Sequence, residues 1–398
     1  MKAASSIWPI VAVGALVLST ALGIRQTFGL FVAPLGAQHV ITVGLLSFAI
    51  ALQNLIWGLG QPLAGGVSDR FGPAPVVAAG AAMYAAGLLA VAYRPDALAI
   101  VIGFGVLVGL GQSAMTFAVV MSCVSRAVHA TQRATAVALA AAGGSLGQVA
   151  LVPVAQLAIT QSGVRAALIT LAIVALAVAP AGLLLGKRSA TVPDEARPAA
   201  WPAIGAALRD SNFLFLTAGF FACGFQLAFM GVHLPGYLVA CHVGANVGAV
   251  ALAAIGFFNI IGSFGFGKAA DRIAPQMLLT WLYAVRATST LVYLVIPVSA
   301  LSTMMFAVIM GLTWLGTVPL TNAIIARLHG LPNLGVLFGV CFVGHQVGGF
   351  LGALSGGLSV QFTGSYTPMW IATIAVGYAA ALLNVPIRYQ PAVAPAPA

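Results

Sequence analysis

The sequence predicts an all-α polytopic membrane protein with twelve transmembrane helices in two six-helix bundles. Composition is the first ground: of 398 residues, 61% are apolar and 6% charged, with a mean hydropathy of +1.07. That much apolar side chain cannot cover a water-facing surface, so its solvent is lipid. The second ground is segmentation into apolar runs of about 20 residues, the length that crosses a hydrocarbon core about 30 Å thick. The third is a repeated charged turn. Gly-Gly-Val-Ser-Asp-Arg-Phe-Gly at 65–72 and Gly-Lys-Ala-Ala-Asp-Arg at 267–272 each follow a glycine-rich apolar run and precede another apolar run. A turn that recurs this way marks two similar halves.

The first helix, 7–35, carries Pro9 and Arg25 and is too long for the apolar region of a cleaved signal peptide, so it is expected to be retained. Helix 43–64 runs into the first charged turn, and 74–93 follows Pro73 and stops before Arg94-Pro95-Asp96. Next come 97–123, then 134–159 after Arg133, then 166–186 ending at Lys187-Arg188. Residues 1–186 therefore read as an N-terminal bundle. The polar stretch 187–211 holds Pro193, Asp194, Glu195, Arg197 and Pro198 and reads as a cytoplasmic linker. Within it, Trp201 to Leu208 fits either a short surface helix or a flexible tether. The second half repeats the layout with 212–239, 245–267 ending at the second charged turn, 276–297 after Pro275, 300–326, 334–361 and 368–388, giving a C-terminal bundle over 212–388. The Pro- and Ala-rich stretch 389–398 reads as a disordered tail.

Charge fixes the expected orientation. With the N-terminus inside, twelve of the sixteen Lys and Arg fall in cytoplasmic segments and only Arg94 and Arg165 outside, as the bias toward cytoplasmic basic loops requires. Both termini are then cytoplasmic, and the net charge of +10 reflects topology and contact with lipid headgroups. No basic cluster with interleaved aromatics suggests nucleic acid. Cys123, Cys223, Cys241 and Cys341 lack metal-site spacing and read as small packing residues, and neither a metal nor a cofactor is expected.

The paired Asp-Arg turns and the 6+6 layout resemble the major facilitator superfamily, whose loops between the second and third helices of each half carry this signature. Gly-Ile-Arg-Gln-Thr-Phe-Gly-Leu-Phe at 23–31, Thr-Trp-Leu-Gly-Thr-Val-Pro at 313–319 and Gly-His-Gln-Val-Gly-Gly-Phe at 344–350 further resemble bacterial members related to the monocarboxylate porters. The resemblance implies a secondary transporter of the bacterial inner membrane, monomeric, moving a small monocarboxylate-like anion by alternating access at a midplane site. An efflux carrier for a drug or toxic metabolite is the alternative, and Gly-Ser-Leu-Gly-Gln-Val-Ala-Leu-Val-Pro at 144–153 is an incomplete match to the antiporter pattern. A membrane enzyme is not expected, because no histidine has an acid or nucleophile arranged with it.

Arg25 is the leading substrate contact, with Gln26 beside it. An arginine inside the bilayer costs at least about 2.5–3.5 kcal/mol on insertion scales and so needs a cavity or a partner. Anion binding and structural pairing are both open readings. The resemblance supports the first, since those porters place a cation on the first helix. Arg286 poses the same question on the ninth helix, where bonding to backbone carbonyls competes with substrate contact. Gln112, Gln148, Gln226, Asn259, Trp314, His345 and Gln346 are further cavity candidates. Where the porters carry an acid and an arginine on the eighth helix, this chain has Asn259 and Ser263.

The only carboxylates are Asp69, Asp96, Asp194, Glu195, Asp210 and Asp271, all in loops or at helix ends. A proton, if one is coupled, would fall to His233 or His345. Asp69, Arg70, Asp271 and Arg272, with Arg133 as a partner, are expected to form a gating latch on the cytoplasmic side, or else simply to mark tight turns. Gly344, Gly348, Gly352 and Gly356, spaced by four, give the eleventh helix one face for close helix contact.

Overall fold

The computed structural model describes residues 8–39, 41–128, 133–185, 200–330 and 334–388, and among these there is no β-strand. Ten apolar spans follow the expected order: α1 Trp8–Ala37, α2 Val43–Phe71, α3 Pro73–Tyr93, α4 Ala97–Ala127, then α7 Ser211–Ala240, α8 Ala245–Ala269, α9 Pro275–Val295, α10 Ala300–His329, α11 Leu334–Thr363 and α12 Thr367–Asn384. Between α4 and α7 lies one run of 49 residues, Ala136–Leu184, more than twice what a single crossing needs. It turns at Gly163, where φ is 84°, a left-handed geometry that glycine adopts without a Cβ clash. We number its parts α5 (136–162) and α6 (164–184). The last helix stops at Asn384, short of the expected 388, because Pro386 cannot continue it.

The exterior is apolar, with Leu98, Phe264 and Leu301 at 72%, 74% and 72% exposure, as lipid solvation requires. Inside each half the first and fifth helices approach through glycine. On α5, Gly143 and Gly147 lie against the backbone of Ala15 and Ser19 on α1; on α11, Gly348 and Gly352 lie against the carbonyls of Phe221 and Phe225 on α7. The glycine face expected on α11 is thus buried against α7. Lipid gives no hydrophobic drive for helices to associate, so contact this close supplies dispersion energy in its place.

Between the halves, α2 lies along α11 and α5 along α8. The linker contributes a short helix, Ala200–Ala207, with Trp201 83% exposed. It ends near Asp210, which caps α7 by accepting from the Asn212 amide at 2.9 Å and meets His329 Nε2 at 3.4 Å.

Candidate functional site: two arginines without carboxylates

Among the described residues, three helices are interrupted near their middles. In α1 the helix gives way to a turn at Gln26 and Thr27. In α4 it breaks at Thr116 (φ −122°, ψ −149°), and in α10 at Thr313–Gly316. Each break frees backbone groups that must find partners inside the bundle. At Thr116 the Ala118 amide finds Gln61 Oε1 of α2, and Trp57 Nε1 and Gln61 Nε2 donate at 2.8 Å to the threonine hydroxyl, which itself donates to the Gln112 carbonyl.

Arg25 stands at the α1 break. Its Nη2 donates to Asn54 Oδ1 at 2.6 Å and its Nη1 to Gln26 Oε1 at 3.3 Å, while the guanidinium carbon lies 5.3 Å from the Trp57 ring centroid. Among the described residues no carboxylate pairs with it. Arg25 and Gln26 also border a small cavity whose other walls are aliphatic or backbone: Ile50, Leu227, Ala228, Gly231 and Val232. Among the described residues, this cation beside a space with largely apolar walls is held by neutral oxygens and an aromatic face.

Gln148 and Gln346 occupy equivalent places in the two halves and do equivalent things. Gln148 Nε2 donates to the Leu252 carbonyl on α8 at 2.6 Å, and Gln346 Nε2 donates to the Asn54 carbonyl on α2 at 2.9 Å. Each therefore bonds across to the opposite half. Gln148 Oε1 accepts from Gln26, and Gln346 Oε1 lies 2.9 Å from His345 Nδ1, so His345, Gln346, Asn54 and Arg25 form one hydrogen-bonded chain. Asn259 adds a third cross-contact, donating to Ser145 Oγ on α5 at 2.7 Å while its Oδ1 accepts from Ser263 and from the Leu315 amide.

Arg286 is fully buried and lies elsewhere. Its Nη2 donates to the carbonyls of Thr313 and Trp314 at the α10 break, and its Nη1 donates to Gln226 Oε1 at 3.2 Å with Cys223 Sγ at 3.6 Å. Of the two readings the sequence left open, bonding to backbone carbonyls is the arrangement present. Gln226 and Trp314 belong to this second cluster rather than to the cavity beside Arg25. Gln112 belongs to neither, accepting from Gln53 between α2 and α4. His233 is buried beside Phe229 and Tyr366 with Nε2 on the Ala353 carbonyl.

At the charged turns, Asp69 pairs with Arg126 of α4 at 2.7 Å, within its own half. Arg70 lies over Phe71, and among the described residues Asp271 makes no ion pair. The side chain of Arg133 falls outside the described residues, as does most of the linker. Interhalf contacts instead concentrate from mid-membrane toward the face opposite the linker, where Gln156 donates to Asn246 at 3.1 Å and Gly44 meets Gln361. Toward the linker face, a Cβ added at Gly66, Gly265, Gly267, Gly335 or Gly339 would meet nothing within 4 Å. Among the described residues, no three His, Cys, Asp or Glu gather to hold a metal.

Sequence reading missed Asn54, Trp57 and Ser145. The adjacent amides Gln53 and Asn54, midway along an otherwise apolar α2, were the available signal.

Comparison with known proteins agrees with the architecture. The chain is 28% identical over 376 residues to an uncharacterized MFS-type transporter, YcxA, of Bacillus subtilis, covering 91% of this chain and 90% of that one. It is 27% identical over 359 residues to monocarboxylate transporter 13 of Rattus norvegicus, covering 88% and 81%. It is also 24% identical over 308 residues to a fujikurins efflux protein of Gibberella fujikuroi, covering 77% and 65%. A sequence profile described as Major Facilitator Superfamily matches residues 10–353. With twelve crossings, three interrupted helices and paired contacts between halves on the page, the chain belongs to the Major Facilitator Superfamily and is a transporter.

Proposed function

We propose that this transporter moves a small organic anion with one carboxylate, and that Arg25 anchors it. One observation carries the reading: Arg25 borders the cavity, and among the described residues its acceptors are neutral amide oxygens. A guanidinium can take a carboxylate through two parallel bonds, far stronger than its bonds to amides. The walls beside Arg25 are largely aliphatic, and the space holds no more than about one water, so a short-chain anion enters only when the halves part. Arg25 and Arg286 together leave the core positive, which favours an anion over a cation.

In this reading residues 1–186 and 212–388 rock about the site as two bodies joined by 187–211, with 389–398 a tail. The linker face and both termini are cytoplasmic in a bacterial inner membrane, and the carrier works as a monomer. The interhalf contacts on the opposite face support an inward-facing state. Gln26, Gln148, Gln346 and Asn259 join and release the halves, while the turns at Asp69-Arg70 and Asp271-Arg272, with Arg133, act at the cytoplasmic mouth. If a proton accompanies the substrate, His345 is better placed than His233, since its bonds lead to Arg25.

The test is thermal stabilisation of the detergent-purified protein by acetate, pyruvate, lactate or butyrate, followed by counterflow in proteoliposomes. At one hundred times its Kd a ligand adds about 2.7 kcal/mol of stability, an effect large enough to read. We expect a monocarboxylate to stabilise the wild type and Arg25→Gln to raise its Kd at least about tenfold. Stabilisation by neutral or cationic drugs alone would instead favour efflux of a drug or toxic metabolite, the reading that the fujikurins efflux relative supports.

A further inference from the structure

We infer that Asn54 is a built-in stand-in for the substrate's carboxylate, an oxygen that occupies Arg25 when the site is empty and is displaced when an anion binds. The inference rests on Arg25 being the anion site and adds what holds that site ready. Asn54 Nδ2 donates to the Ile50 carbonyl at 3.1 Å, which fixes the amide so that Oδ1 faces Arg25 and accepts from Nη2 at 2.6 Å. Gln346 donates to the Asn54 carbonyl, pinning the main chain from the opposite half. The residue is buried, 1% exposed.

An unpartnered guanidinium here would be costly, and a carboxylate partner would hold it so firmly that an incoming anion could not compete. A neutral amide oxygen lies between those limits. It satisfies one donor in the empty state, yet a carboxylate, whose charge-assisted bonds are roughly twice as strong as neutral ones, displaces it. Asn54 thereby sets affinity: it subtracts from the binding energy of every substrate.

Two variants separate this role from mere support. Asn54→Asp is nearly isosteric and converts the stand-in into a permanent ion pair; the Kd of the stabilising monocarboxylate should rise at least about tenfold. Asn54→Ser removes the competing oxygen from Arg25; the Kd should stay equal or fall. A residue that only supported Arg25 would weaken binding when shortened, so a Kd at least threefold higher in Asn54→Ser overturns the inference even if Asn54→Asp fails to fold. Unchanged affinity in folded Asn54→Asp, with binding lost in Arg25→Gln, overturns the stand-in while leaving the anion site intact. Anion stabilisation that survives Arg25→Gln, or no stabilisation of the wild type by any of the four monocarboxylates, overturns the site and this inference with it.

Discussion

Arg286→Lys is expected to destabilise the protein more than Arg286→Met, although lysine keeps the charge. Arg286 is 0% exposed and spreads its guanidinium over two carbonyls of the α10 break, a glutamine oxygen and a thiol. Burying an ion costs several kcal/mol even after relaxation, and bonds to a charged donor each return about 1.5–3 kcal/mol. With that many acceptors the guanidinium roughly breaks even. A lysine ammonium, a compact point charge, cannot reach the two sides of this fork at once. It keeps the desolvation cost and loses part of the return, so about 3–5 kcal/mol of destabilisation follows.

Methionine removes the charge and leaves neutral acceptors unsatisfied, at about 1–3 kcal/mol each, partly offset by the desolvation recovered. A net loss of about 2 kcal/mol is the expectation. Thermal denaturation of both variants in one detergent gives the ordering, and equal stability of Arg286→Lys and wild type would sink the fork argument. Counterflow should fall more than tenfold in both, because the peptide run at Thr313–Gly316 loses the anchor on one side while Asn259 still holds the Leu315 amide on the other.

The helices and the repeated turn were legible because lipid permits little else: an apolar run of about 20 residues must be helical to satisfy its own backbone. Arg25 and Arg286 were legible for the same reason, as charges at a depth where each needs a partner. What those partners would be was not. Asn54 lies 29 residues from Arg25 and Gln346 lies 292 from Asn54, and no local pattern encodes contacts over such separations. The breaks in α1 and α10 were hidden for a related reason. Neither contains a proline within the interrupted residues, and the α10 break is held open by a guanidinium from α9. The equivalence of Gln148 and Gln346 was visible as two glutamines on glycine-rich helices, and the structure adds that both donate to main-chain carbonyls of the opposite half.

Gly147→Ala is expected to be the most disruptive small substitution in the first half. In an exposed helix this change is favourable by up to about 1 kcal/mol through backbone entropy. At Gly147 the added methyl falls onto the Ser19 carbonyl and carbon of α1, with no flexible side chain to give way. To relieve it α1 must move outward, and α1 carries Arg25. Overpacking in a filled core costs about 1–3 kcal/mol and occasionally more; with backbone on both sides, about 3 kcal/mol is expected here. In the second half the tight glycine is on the first helix instead: Gly224 of α7, where a methyl would strike the His345 carbonyl of α11. Gly339→Ala, whose methyl would meet nothing within 4 Å, is the control and should be neutral or slightly stabilising. Melting temperatures and elution profiles of the three variants decide the matter. If Gly147→Ala and Gly224→Ala melt with Gly339→Ala, the close seams between the first and fifth helices do not hold each half together, and the placement of Arg25 against Asn54 loses its mechanical basis.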